Sequence, residues 1–294
     1  MQADYLSDLF GRISLKARVF KAGDLCRNAS FDGTDSVSHL HVLRRGQLKV
    51  INDNAEPHYI SEPHLLFYPR PLRHMLAIDA QSPPDVVCAS VEFSGGRANP
   101  LASSLPSFLA IPLKRLFGLS ETLDCLFDEG LNPKNGSRVI LDRLCEILVV
   151  HLLRVAIEDG QIKTGALAGL MDPKIAEAVG AIHANPEYAW GLNNLAQRCN
   201  LSRSRFTVLF KDRVGMTVGD YLTDWRMYVA QHMLEAGKPV TTVAHDVGYG
   251  SQPAFTRAFT AKVGVSPREW VKRYCISSVP TFSDQGVPHQ WRKL

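Results

Sequence analysis

The sequence predicts an α+β multidomain chain, with a β-rich N-terminal part followed by helices and an all-α C-terminal part. Three observations predict it. Short apolar runs separated by turn clusters fill residues 19–93, the pattern of a small barrel or sandwich. A helical period replaces them after Gly95-Gly96 and again after Asp172. An internal repeat, offset by 48 residues, occupies the C-terminal third. At 294 residues the chain has room for two domains, each with its own core.

The strands are read from His39-Leu-His-Val-Leu43, Gln47-Leu-Lys-Val-Ile51, Leu65-Leu-Phe-Tyr68 and Val86-Val-Cys-Ala-Ser-Val91. Arg45-Gly46, Asn52-Asp-Asn54, Pro69-Arg-Pro71 and Ser82-Pro-Pro84 punctuate them as turns. From Arg138 to Glu158 no Gly or Pro intervenes, and Leu141, Leu144, Leu148, Leu152 and Val155 fall on one helical stripe. Ile140, Ile147, Val149 and Val150 extend the apolar surface beyond it. Such a helix belongs either to the first core alone or also to a contact with a second copy.

Residues 160–169 are small and flexible and suit a linker. Asp172-Pro173 then reads as an N-cap with proline at the first helical position. The expected division is 1–160 for the β-rich domain with its helices, 161–171 for the linker, 172–275 for the helical domain and 276–294 for a loose tail.

Within the helical domain Leu195-Ala196, Leu201, Phe206, Phe210 and Gly215-Met-Thr-Val-Gly-Asp-Tyr221 match a second series. That series is Val243-Ala244, Tyr249, Phe255, Phe259 and Gly264-Val-Ser-Pro-Arg-Glu-Trp270. An apolar-Ala pair lets two helices cross closely, and Leu201 or Tyr249 plugs the angle between them. Phenylalanines four apart make one buried face. Gly215 and Gly264 suit left-handed C-caps, while Thr217 with Asp220 and Ser266 with Glu269 suit capping boxes. Helix, short turn, helix is the layout of a helix-turn-helix, whose second helix enters the major groove. Two units joined by a linker helix over Val218–Ala236 would span about 28 Å and place both heads on one side of a duplex. An ordinary helical bundle also needs apolar pairs and caps; the duplication, with polar and basic outer faces, favours DNA.

These residues resemble the AraC/XylS family of transcription regulators over about 172–275. The resemblance is carried most specifically by Val240-Thr-Thr-Val-Ala-His-Asp-Val-Gly-Tyr249, Phe255-Thr-Arg-Ala-Phe259, Gly264-Val-Ser-Pro267 and Trp190-Gly-Leu-Asn-Asn-Leu-Ala196. It implies that Ser204, Thr207 and Val208, with Gln252, Thr256 and Arg257, face the groove. Arg pairs with guanine, Gln with adenine, and Val suits the thymine methyl. Arg203, Arg205 and Lys211 either hold phosphates or form a solvated helix face, and Ser251 caps the second reading helix. Pro253 departs from the family, where a polar residue is commoner; in the first turn it is tolerated but removes one N–H.

The N-terminal part is similar to the cupin-like β-barrel sensors of the same family, through His39-Leu-His-Val-Leu-Arg-Arg-Gly46 and Leu65-Leu-Phe-Tyr-Pro-Arg-Pro-Leu-Arg-His74. Metal-binding cupins use His-x-His and a later His, which His39, His41 and His74 match, but the acidic ligand expected after His41 is missing. Residues lining a pocket or core are the other reading, and no cofactor or metal is assigned. Some relatives respond to oxidants through cysteines; Cys88 matches such a region, with Cys26 as a candidate partner.

Composition bounds the rest. Thirteen Lys or Arg stand against nine Asp or Glu in 172–275, with near-neutrality before it. The six cysteines are scattered without a C-x-x-C pair, against a disulfide scaffold or zinc ribbon. No apolar run reaches membrane-spanning length, and residues 1–11 lack a secretory layout, so a cytoplasmic protein is expected. The expected function is sequence-specific regulation of transcription on double-stranded DNA in response to a small effector or an oxidant. RNA polymerase and a second copy are the other partners considered; an enzyme role, as a metal-dependent cupin, is the disfavoured alternative.

Overall fold

A computed structural model describes residues 4–11, 13–33, 37–53, 55–79, 82–94 and 99–274. They divide into a β-rich unit, residues 12–96 with 105–161, and a helical unit from Ile162 onward. Two short helices, α1 (Tyr5–Phe10) and α2 (Pro100–Ser104), group with the helical unit. The tail expected at 276–294, and Cys275, lie outside the described residues.

The β-rich unit contains β1 (Leu15–Asp24), β2 (Ala29–Phe31), β3 (Ser38–Arg45), β4 (Leu48–Asn52), β5 (His58–Ile60), β6 (His64–Tyr68), β7 (His74–Ala77), β8 (Asp85–Phe93) and β9 (Leu109–Pro112). One antiparallel sheet has the order β1-β8-β3-β6-β9 and the other β2-β7-β4-β5. Phe31, Leu43, Val50, Leu66, Tyr68, Leu76, Val86 and Cys88 meet between them as a core. The two sheets are not closed into a barrel, and of the barrel or sandwich the sequence predicts they form the sandwich, within the cupin-like class expected.

A helix explains why one border stays open. After α3 (Ser120–Leu131), α4 (Ser137–Glu158) lies along β1, the outer strand of the first sheet. Glu146 Oε1 accepts from Ala17 N at 3.2 Å and Asp142 Oδ1 from Val19 N at 2.8 Å, so that border is already hydrogen-bonded. Burial pushes the Asp142 carboxyl up, and the Val19 N–H draws it partly back.

On α4, Leu141, Leu148, Leu152 and Val155 are buried as expected, but Leu144 is only half-buried and Cys145 takes a core place. Ile140 and Ile147 remain exposed at 39% and 44%. The Arg44 guanidinium lies 4.4 Å from the Phe127 ring centroid on α3 and reaches Asp85 Oδ2 through Nε (2.7 Å) and Nη2 (2.5 Å).

In the helical unit, the segment read as a linker holds α5 (Ala166–Met171), with Ala166–Leu170 all buried. Glycines permit its close packing: Gly165, just before it, donates its N–H to Arg213 O and a Cβ there would strike Ser104, while a Cβ at Gly169 within it would come 2.9 Å from Val214. The helix expected at Asp172-Pro173 starts later, as α6 (Ala176–Ala184). Asp172 instead organises a turn, its carboxylate accepting from Lys174 N and from Arg213 Nε. Then follow α7 (Leu192–Arg198), α8 (Arg203–Val214), α9 (Val218–Glu235), α10 (Val240–Asp246), α11 (Gln252–Val263) and α12 (Pro267–Tyr274). No helix of the described residues is long and apolar enough to cross a membrane.

Candidate nucleic-acid interface

The repeat folds as two similar helix pairs, α7–α8 and α10–α11. In the first, Leu195 and Ala196 are buried under Phe206 and Phe210, whose ring centroids are 5.6 Å apart. In the second, Val243 and Ala244 lie under Phe255 and Phe259, 5.5 Å apart. The turns match as well: Asn200 (φ 53°) and Gly248 (φ 82°) occupy the same left-handed place before the half-buried Leu201 and Tyr249. Ser202 caps α8 through Arg205 N, and Ser251 caps α11 through Ala254 N. Gly215 and Gly264 are left-handed C-caps, and Thr217 Oγ1 accepts from Asp220 N to start α9. With 18 residues, α9 is about 27 Å long.

Arg203, Ser204, Arg205, Thr207, Val208 and Lys211 are all exposed on α8. Val208 is 72% exposed, an apolar side chain without a core to serve. The Thr207 hydroxyl donates to Arg203 O at 2.8 Å, leaving its methyl and a lone pair outward. On α11, Arg257 is exposed while Gln252 and Thr256 are half-buried; Pro253 sits in the first turn after the Ser251 cap. Among the described residues no ion pair involves Arg203, Arg205, Lys211 or Arg257, whereas Arg198, Arg213, Lys262 and Arg273 are paired with Glu177, Asp172, Asp224 and Glu269.

In the β-rich unit, His39 and His41 on β3 and His74 on β7 are brought together, 0%, 0% and 2% exposed. His74 is sandwiched between Phe31 (4.4 Å) and Tyr68 (3.8 Å), and His41 Nε2 lies 3.1 Å from His74 Nε2. Because Leu72 O can only accept, His74 Nδ1 donates to it at 2.7 Å; a neutral His74 then accepts at Nε2 from His41 Nε2–H. His39 stacks beside His41 at 6.0 Å, and the residues following His41 are Val42, Leu43, Arg44 and Arg45. Among the described residues no group of three or more His, Cys, Asp or Glu is placed to hold a metal ion, so the trio does not fit a cupin metal centre.

Cys88, opposite His41 in the β3–β8 register, is fully buried and its thiol is pushed up to about 12 by that burial. Cys26 is exposed, and both are free thiols. The β1–β8 ladder runs on to Leu25 N and Pro84 O, four residues from Cys88 along β8. That is on the order of 13 Å along the strand, whereas a disulfide needs Cα atoms within about 7 Å.

Residues 4–158 match the cupin family model, and 195–273 match a helix-turn-helix domain model. The chain is 28% identical to a putative AraC-like transcription regulator of Streptomyces antibioticus, over 92% of this chain and 97% of that protein. The chain belongs to the AraC family of transcription regulators, with an N-terminal cupin domain. This regulator is also 25% identical to the RCS-specific HTH-type transcriptional activator RclR of Escherichia coli K12, over 82% of this chain and 86% of that one. Among solved structures it is similar to the DNA-binding domain of AdpA in complex with a target DNA, at 27% identity, 36% and 96% coverage and a TM-score of 0.34.

The histidine packing of this cupin domain carries a pH signature. Burial, with His74 and then His39 nearby, holds His41 well below the usual histidine range. An unfolded His41 binds a proton near pH 6.5, so stability is full above that value and is lost as pH falls towards the folded value, by about 1.4 kcal/mol per pH unit. The thermal midpoint of the regulator is expected to drop between pH 7.5 and pH 5.5, and His41→Gln to flatten that drop. An unchanged slope in the variant would remove His41 as its source.

Proposed function

We propose that this regulator binds one asymmetric DNA site about two helical turns long, reading bases with Ser204, Thr207, Val208, Gln252, Thr256 and Arg257 and phosphates with Arg203, Arg205 and Lys211. The observation that carries this reading is that both reading faces present exposed cations, Arg203, Arg205, Lys211 and Arg257, which make no ion pair among the described residues. The cupin domain is read as the sensor of a small chemical signal in the cytoplasm, with RNA polymerase as the partner at the promoter. The exposed Ile140 and Ile147 of α4 offer a face for a second copy.

The test is selection of duplexes from a randomised pool by the full-length protein, followed by titration across salt. Arg257→Ala is expected to leave binding in place but relax one base position by about 1–3 kcal/mol, roughly 5- to 150-fold in preference. Enrichment of no duplex at low ionic strength would sink the reading.

An oxidant-responsive reading is favoured by the similarity to RclR, named for RCS. The fully buried Cys88 opposes it, because the thiolate is the reacting species and burial suppresses it. Under native conditions iodoacetamide is expected to label Cys26 quickly and Cys88 only on unfolding, as read by peptide mass. Equal labelling, or loss of a hypochlorite response in Cys88→Ser, would restore the oxidant reading.

A further inference from the structure

Arg226 lies at the middle of α9, between Trp225, which stacks on His183 of α6 at 3.7 Å, and Met227, which belongs to the core of the second helix pair. Its Nε donates to Pro186 O at 2.7 Å and its Nη2 to Tyr188 O at 3.0 Å. Both carbonyls belong to the loop that enters the first unit. The same guanidinium stands 5.7 Å from the ring centroid of Tyr249, in the turn of the second unit. That turn also presses on the loop directly. A Cβ at Gly248 would come within 2.6 Å of both Glu187 O and Arg226 Nη2, at a φ of +82° that L side chains rarely adopt. Loop, guanidinium and turn therefore form one layered contact between the two reading units.

We propose that Arg226 and Gly248 form a lock that fixes the second reading head against the first, so that the regulator accepts its two base blocks at one separation only. The proposal rests on the reading that both units bind one duplex, and Arg226 acts in it as a positioning residue. The helix α9 sets the distance between the units along its axis. Rotation of each unit about that axis needs a second tie, and this contact supplies it. One base pair turns the duplex by about 34–36° and advances it ~3.4 Å, so a head free to swivel and a locked head respond differently to one inserted pair. A planar guanidinium holds two carbonyls at fixed angles, which a lysine ammonium does not reproduce.

The experiment uses the full-length protein and duplexes selected from a randomised pool. Wild type is expected to enrich two base blocks at a single separation, and one base pair inserted between them to weaken binding about tenfold or more. Arg226→Lys, with its thermal midpoint followed in parallel, is expected to keep both blocks but spread their separations and reduce the insertion penalty below about threefold. Gly248→Ala should do the same. The proposal is overturned if wild type tolerates the insertion, or if folded Arg226→Lys keeps the single separation. Should a variant fail to fold, the wild-type insertion series still decides. Wild type enriching no duplex would overturn the DNA reading itself, which the lock presupposes.

Discussion

Phe255→Ala is expected to destabilise the helical unit by about 3–5 kcal/mol, the usual cost of deleting a buried aromatic ring. Phe255 is 0% exposed, lies 5.5 Å from Phe259 and 5.7 Å from Tyr249, and packs in a core with Met227, Ala230, Leu234, Val243 and Trp270. A surrounding shell of helices this short has little freedom to collapse into the space left behind. Denaturant unfolding of the full-length protein, followed by tryptophan fluorescence, measures it. DNA binding is expected to fail with it, because Phe255 aims α11. Val208→Ser serves as the contrast: at 72% exposure it should change stability by no more than about 0.5 kcal/mol while weakening the contact to DNA. A loss below about 1 kcal/mol in Phe255→Ala would mean that the second pair does not depend on its paired rings.

The second large effect concerns the cupin domain. Asp85 has 4% of its side chain exposed, and its Oδ2 is held by Arg44 at 2.5 Å and by Arg45 at 3.6 Å. Its Oδ1 has no hydrogen-bond partner among the described residues. Arg44→Met keeps the stem volume and removes the cation, leaving a carboxylate in the protein interior. About 3 kcal/mol is expected, the lower end for a broken buried pair, because Arg44 itself is 29% exposed and Arg45 remains. Adding Asp85→Asn to that variant should recover part of the loss. Thermal or urea unfolding of wild type, Arg44→Met, Asp85→Asn and the double variant closes the cycle, and an equal loss on Arg44→Met in the wild-type and Asp85→Asn backgrounds would show that the cost lies in packing over Phe127 instead.

These effects fall on features of unequal visibility in the chain. The central strands were legible because His39–Leu43 and Val86–Val91 are buried on both faces, so apolar residues dominate them with only His39, His41 and Ser90 interposed. The repeat was legible because each helix pair needs the same residues at the same spacing for the same reason. Strand β9 was not, since its four residues, Leu109–Pro112, follow a stretch already helical in pattern and pair with β6, distant in sequence. Helix α5 hid behind glycines and alanines, which signal flexibility in a sequence and close approach in a packed unit. The swap of Leu144 for Cys145 on α4 reflects a helix that covers a sheet edge as well as a face, so no single stripe describes it.

At the site the same division holds. The groove-facing residues of α8 and α11 were legible through the family resemblance, and they lie away from the buried phenylalanines, with Gln252 and Thr256 half-buried. The contact of His41 with His74 depends on two strands in different sheets, and no spacing rule joins them. Arg226 gave no signal of its own, because a cation on a helix reads as solvated until the loop carbonyls that receive it are known.

The helix that lies along β1 has a consequence for how the chain survives its own synthesis. Bare strand borders invite neighbouring chains to extend a sheet, and proteins blunt them to stay apart. Here the guard is made of two carboxylates, Asp142 and Glu146, which occupy the N–H groups of Val19 and Ala17. A nascent or clipped chain that ends before Ser137 lacks both guards and presents that border unshielded. Such fragments are expected to cluster, and a peptide of residues 137–158 supplied in trans to disperse them.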